Sequence, residues 1–588
     1  MALFASSALA SACHADRSAG SDEVTPATPS ATAATVAVER PAHPRVPNPV
    51  SYIPPQCFAK TRGPGLHVAK NPCYVCHVDA APPNYAADGD LQTDLLFPPA
   101  ATVNPWTNLF RPPPAAAPRV DDDATLRYVR ASNYFDTQGR IVLAAALAAV
   151  PPDWDADKNG RWDGFVPDVE FAFDERGFDH RPDGTSTGWR AFAYYPLPGA
   201  FLPTNGSADD VLVRLDPAFR EREDGRPDRT AYEVNLAIVE SLITRSSVAI
   251  DPVDEVALGV DLDLDGHLAS ASTVAFDDVR DGRGATRMHY VGRARLDQDA
   301  GKIAILPGLF PAGTELFHTV RYLDVRDDGV VAMAARMKEV RYARKARFLG
   351  YDELRRQAET DAREQAESPD GAHFVRYKGE QGFDNGQGWL FQGFIEDEHG
   401  ALRPQSREET TACAGCHGGI GATTDATFSF ARKVGSDHPA RGWYHWSQHD
   451  LRGLREPKRA DGRYEYTFYL EQAGAADDFR DNAEVRARFF DAKQRLVPAE
   501  IDRLHDDVSR LLVPSAERAL DLDRAYRAVV SAQSFVLGRD AVLAPTQNVN
   551  ENVKLGDKTG VATRIGASAL RRAAGNAPRT HGAVTVGW

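Results

Sequence analysis

Long apolar runs are missing from this 588-residue sequence: nowhere do 18 hydrophobic residues follow one another, so the body of the chain offers no helix suited to a bilayer. Positive charge is also in deficit. With 68 Lys and Arg against 83 Asp and Glu the net charge is −15, which argues against nucleic acid as a partner and leaves a basic protein as the complementary one. No internal repeat of about 20 to 50 residues is visible, which argues against a propeller or solenoid. Sulfur is scarce, with four Met and six Cys, so the position of each cysteine carries information. What is present is the composition of a soluble protein, 43% hydrophobic and 26% charged, long enough for roughly three or four domains of about 150 residues.

Four of the six cysteines fall into two copies of one pattern, Cys73-Tyr74-Val75-Cys76-His77 and Cys413-Ala414-Gly415-Cys416-His417. Two thiols at this spacing can each add to a vinyl group of one haem, and the adjoining imidazole then sits beneath the iron as an axial ligand. A four-thiolate zinc site is the alternative for two cysteine pairs, but it does not ask for a His directly after both second cysteines. On these ten residues the chain resembles an exported, bacterial c-type cytochrome with two haems. The resemblance implies two covalent haem c groups, one held by Cys73, Cys76 and His77 and the other by Cys413, Cys416 and His417. It identifies a cofactor better than an activity.

The amino terminus looks like an export signal. Residues 1–12 are small and apolar and end in Ala10-Ser11-Ala12 before Cys13, although the usual positive charge is missing and the stretch is short, as if it lay inside a longer signal. Cys13 then has two readings: the lipid-modified first residue of a bacterial lipoprotein, anchored to the membrane there, or a residue beside a nearby cleavage point. Either places the protein outside the cytoplasm. Residues 13–48, rich in Ala, Pro, Thr and Ser, read as a disordered tether. Cys57 is left over; it reads most simply as a buried small hydrophobe, with a disulfide to Cys13 or a sulfur ligand to haem as alternatives.

The expected fold is mixed α+β and multidomain. Residues 49–118 are dense in proline and read as a loop-rich first haem module, its pocket walled by aromatics such as Tyr85, Phe97, Trp106 and Phe110. Residues 119–330 read as a β-rich central domain with one helix, near Thr230 to Ile243, whose Val234, Ile238 and Leu242 share a stripe. Strands are expected at Trp189 to Tyr195, at Val211 to Leu215 after the Asn205-Gly206 turn, along Val256, Leu258 and Val260, and around Val320. Residues 331–400 read as a helical connector, starting with a helix-compatible stretch from Ala332 to Arg347 that carries a cluster of Arg and Lys. Residues 401–545 read as a cytochrome c-like second haem domain with helices, including a strand at Tyr464, Tyr466 and Phe468 and helices opened by Pro498 and capped by Ser515. Residues 546–588 read as a tail.

Calcium is a further expectation. Asp155, Asp157, Asn159 and Asp163 stand at the alternate positions of a calcium loop, and Asp261, Asp263 and Asp265 begin a second; both lack the closing Glu, and an acidic surface turn is the plain alternative. For the distal side of each iron the candidates are His318, Met337 and His445, each in an ordered-looking segment with aromatic neighbours.

Two kinds of activity remain open. Six-coordinate haems would pass electrons between periplasmic or cell-surface partners, with a redox partner protein implied. A haem with an open face would instead make a di-haem redox enzyme resembling peroxidases or oxygenases. A third reading makes the β-rich middle a binding module with the haems as its electron outlet.

Overall fold

The structure, a computed structural model, describes residues 48–60, 72–79, 82–86, 88–111, 121–200, 203–277, 286–367, 376–418, 424–425, 428–473, 480, 482–561, 563–566 and 570–571. Cys13 and nearly all of the expected tether lie outside these residues. A mixed α and β architecture is built around one large antiparallel sheet of nine strands. The strands are β1 (Phe178–His180), β2 (Ser186–Ala191), β3 (Ala208–Arg214), β4 (Glu315–Val325), β5 (Val331–Lys345), β6 (Arg376–Tyr377), β7 (Phe383–Asp384), β8 (Trp389–Glu396) and β9 (Leu402–Pro404). Their spatial order is β1-β2-β3-β4-β5-β8-β7-β6, with β9 also paired to β8.

The stretch expected to be helical from Ala332 is the sheet's long central strand, β5. Ala, Met, Arg and Lys are good helix formers, but pairing with β4 on one side and β8 on the other overrides that preference. Half of the basic cluster, Arg336, Lys338 and Lys345, is drawn inside, where partners meet its charges, while Arg344 and Arg347 stay exposed. Arg336 Nε donates to Glu396 Oε1 at 2.6 Å, Lys338 Nζ to the Gly206 carbonyl at 2.5 Å, and Lys345 Nζ to Asp425 Oδ2 at 2.8 Å.

Helix α1 (Arg229–Thr244) matches the expected helix. It is buried on nearly every side, starts where Asp228 accepts from Ala231 N–H, and ends at Arg245 in a left-handed conformation. The run at Val256 and Leu258 is not a strand. Asp254 accepts from the N–H of Val256 and Ala257, which opens a single helical turn closed by Gly259 at φ +66°. Tyr466 and Phe468 likewise sit on a helix, Glu465–Ala473, and both are buried because neighbouring helices cover several of its sides. The charged segment after β5 forms α2 (Tyr351–Glu367), in which only Leu354 is fully buried.

From Val46 onward the chain is one compact unit. The segment around Cys73 is loop-rich, made of single 3-10 turns, as its prolines require. Its cover comes from the far end of the sequence: Tyr74 and Val75 pack in one core with Tyr466, Phe468, Leu504 and Leu511. Although residues 401–545 read as the domain of the second motif, the helices at 465–512 cover the first. Val549 and Val553 pack on Val50, Phe58 and Trp106, so part of the expected tail belongs to the amino-terminal core.

Candidate functional site

The second motif is delivered by helix α3 (Arg407–His417), which ends on the histidine. Ser406 Oγ accepts from Glu409 N–H at 3.2 Å, and Glu409 Oε2 accepts from Ser406 N–H at 2.7 Å, a reciprocal cap readable as Ser-x-x-Glu in the sequence. Arg403 fixes Glu409 through two further hydrogen bonds of 2.8 and 2.9 Å. Between the two thiols, Gly415 lets the amino-terminal segment pass. A Cβ there would stand 2.6 Å from the Tyr52 carbonyl oxygen and 2.7 Å from Pro54 Cδ.

The first motif forms one tight turn. The N–H groups of Cys76 and His77 both donate to the Cys73 carbonyl, at 3.1 and 2.8 Å. His77 Nδ1 lies 3.0 Å from Asp88 Oδ2, while its carbonyl accepts from Gln92 Nε2 at 2.7 Å. His417 is held in the same way by different groups. Its Nδ1 lies 3.1 Å from Thr424 Oγ1, its carbonyl accepts from Asn385 Nδ2 at 2.9 Å, and its ring lies between Phe391 and Phe428. In both motifs Nδ1 is engaged by an outer partner, which leaves Nε2 available as a donor.

Both motifs open into one cavity of about 1050 Å³. Its floor is one face of the sheet, shown by residues two apart on three successive strands: Asp209 and Val211 of β3, Leu316, His318 and Val320 of β4, and Glu339, Arg341 and Ala343 of β5. The walls carry Cys57, Cys73, Cys76, His77, Cys413, Cys416 and His417. All five described cysteines are free thiols. The contact between Cys76 and Cys416, together with burial, raises the Cys76 pKa; the same contact lowers that of Cys416 against the effect of burial. Burial pushes Cys73 up to about 12 and raises Cys57, where Cys73 and Cys416 add to the effect. Burial also pushes His417 down to about 3, helped by Arg341 and His318, so its imidazole is neutral and able to ligate.

The other site candidates scatter. His318 lines the cavity, with Nε2 2.8 Å from Asp209 Oδ2. Met337 is in the hydrophobic core beneath β5 and His445 is buried with Nε2 3.0 Å from Asp210 Oδ2; neither lines the cavity. At the first acidic loop Asp155, Asp157 and Glu380 bring oxygens within 4.8 Å of one another, so the acid missing at the loop's end arrives from 217 residues beyond Asp163. Asn159 and Asp163 are tied together instead, Asn159 Nδ2 donating to Asp163 Oδ2 at 2.8 Å. In the second, Asp261 and Asp263 join Glu255, which precedes the loop, while Asp265 is outside that group. Asp88 and Thr424, which orient the two histidines, escaped the sequence reading because a lone Asp or Thr in a loop carries no pattern.

A protein family described as "-like lipoprotein" matches residues 41–507. An uncharacterized lipoprotein of Aquifex aeolicus (strain VF5) is 30% identical over 537 residues, covering 84% of this chain and 86% of that protein. No solved structure matches. These findings overturn the resemblance to the c-type cytochromes as a family. The match spans most of the chain and names lipoproteins, whereas the resemblance rested on ten residues, too few to identify a fold. Lipoprotein character agrees with a membrane-anchored or periplasmic place in a bacterium; no helix among the described residues is long and apolar enough to cross a membrane. With most of its length matched, the chain belongs to this lipoprotein family.

Proposed function

We propose that this lipoprotein carries two covalently attached haems in its central cavity and passes electrons between periplasmic or cell-surface redox partners. One observation carries the reading: two C-x-x-C-H segments separated by 335 residues, Val78 to Ala412, line the same cavity. Its volume of about 1050 Å³ is at or above the top of the ~300–1,000 Å³ usual for a single small-molecule site. The zinc alternative is disfavoured by placement. Among the described residues no three of these thiols and imidazoles have ligand atoms within 4.8 Å of one another.

When bound, each haem supplies a one-electron iron couple. Cys73 and Cys76 would fasten one macrocycle and Cys413 and Cys416 the other, with His77 and His417 as axial ligands. Asp88 and Thr424 hold those rings by Nδ1, which fixes the tautomer. Arg341 and Arg539, both beside Cys413, bring positive charge to the wall where carboxylate side groups of a macrocycle need it. At the rim, α2 contributes Asp361, Glu364 and Glu367, an acidic edge suited to a basic redox partner protein.

The test is the protein matured in a host that ligates haem. Two haems per chain should survive denaturation, falling to one when Cys73 and Cys76 are both replaced by Ala, and likewise for Cys413 and Cys416. A colourless chain, or zinc recovered in place of iron, refutes the reading.

A further inference from the structure

We infer that His318 is the distal ligand of the iron carried by Cys413, Cys416 and His417, with Asp209 as the residue that positions it. The inference rests on the haem reading above. Among the described residues, the side chains lining the cavity include three imidazoles, those of His77, His318 and His417, and no methionine. Two of the three are spent as the motif histidines. His318 is therefore the one strong neutral donor left for either iron, apart from the thiol of Cys57.

Three features suit it to that role. First, it stands in the middle of the sheet floor, flanked across the strands by Val211 and Arg341, on a rigid element rather than a loop. Second, its Nε2 is 2.8 Å from Asp209 Oδ2, a carboxylate on the neighbouring strand that is itself buried. That hydrogen bond places the proton on Nε2 and leaves the Nδ1 lone pair as donor, the same carboxylate-to-imidazole pairing that His77 makes with Asp88 using the opposite nitrogen. Third, its neighbours tie it to the second motif and not the first. Arg341, which pairs with it, is two residues from Ala343; Ala343 pairs with Phe391 of β8, whose ring lies 4.8 Å from that of His417.

A consequence is that the two irons are unequal. One has imidazole on both sides; the described residues offer the other no second imidazole from the cavity wall.

The experiment uses the full-length protein carrying both haems. Ferric wild type should show a low-spin, two-imidazole signal for one haem. In His318→Ala that signal should be lost, replaced by a high-spin haem that takes up carbon monoxide on reduction and returns to low spin on adding imidazole, with two haems still attached. His318→Met, which keeps a donor in place should Ala not fold, is expected to stay low spin and to raise the midpoint potential. Asp209→Asn should keep the low-spin state and also shift the midpoint upward. An unchanged low-spin spectrum in His318→Ala with both haems attached overturns the ligand assignment alone. Absence of covalent haem in the wild type overturns it together with the reading beneath it.

Discussion

Asp88 grips His77 at two points: Oδ2 lies 3.0 Å from the ring Nδ1, and Oδ1 accepts from the next N–H in the chain, that of Val78, at 3.2 Å. A carboxylate on the far nitrogen makes an imidazole a stronger donor and favours the oxidised metal. On the proposed haem reading, Asp88→Asn should raise the midpoint potential of the haem at His77. A change of about tenfold in the redox equilibrium, the lower end for such outer partners, is about 59 mV for one electron. Spectroelectrochemical titration of each haem reads it, and an unmoved potential would separate Asp88 from the iron.

Asp425 anchors the loop that holds His417. Its Oδ2 accepts from Lys345 Nζ and from Trp389 Nε1, each at 2.8 Å, and its Oδ1 from Phe310 N–H at 2.9 Å. Lys345 is fully buried. Removing the carboxylate leaves that ammonium without its counter-charge, so Asp425→Ala should destabilise by about 3–5 kcal/mol in denaturant unfolding. The adjacent Thr424 should lose its position as well, lowering haem occupancy at the second motif but not at the first.

Glu380 closes the loop around Asp155 from a distant turn, accepting from Ala156 N–H at 2.8 Å and Asp163 N–H at 2.6 Å. Hydrogen bonds to a charged acceptor are worth about 1.5–3 kcal/mol. Glu380→Ala is expected to cost about that much and to speed amide exchange between residues 153 and 163, with Glu380→Gln intermediate. Unaltered exchange in this loop would mean that it is held by its own internal bonds.

Asp210 gives the fold an acid limit. Burial alone would raise its pKa, but the hydrogen bond and charge of His445, then Arg321 and Thr319, more than offset this and hold it at about 2. A carboxylate depressed in the folded state stabilises above its unfolded value of about 3.9, and that contribution fades as pH falls through the folded value. About 2–3 kcal/mol should be lost between roughly pH 5 and pH 1. In Asp210→Asn the slope of stability against pH across that window should flatten; the same slope in both proteins would assign the acid limit elsewhere.

Local chemistry was the legible part of the sequence. The buried helix α1 and the turn before β3 follow from short-range pattern and capping. Where the reading failed, a long-range contact had decided. Helix formers in β5 became a central strand because two neighbours pair with it, and Tyr466 and Phe468 became helical because other helices cover them, while Tyr464 stays outside the helix in a bridge to Lys458. The closing acid of the first loop could not be found nearby because Glu380 is not nearby.

The sequence alone determined which atoms can form thioether bonds and which imidazoles follow them, since a five-residue spacing fixes that chemistry in any fold. It could not say that Cys76 and Cys416 meet, that His318 joins them while Met337 and His445 do not, or that Asp88 and Thr424 orient the rings. Those relationships depend on which face of a nine-stranded sheet each residue occupies and on which distant segments cover it. A change of one position along a strand moves a side chain from cavity floor to opposite face, so only the assembled pairing of the strands could decide them.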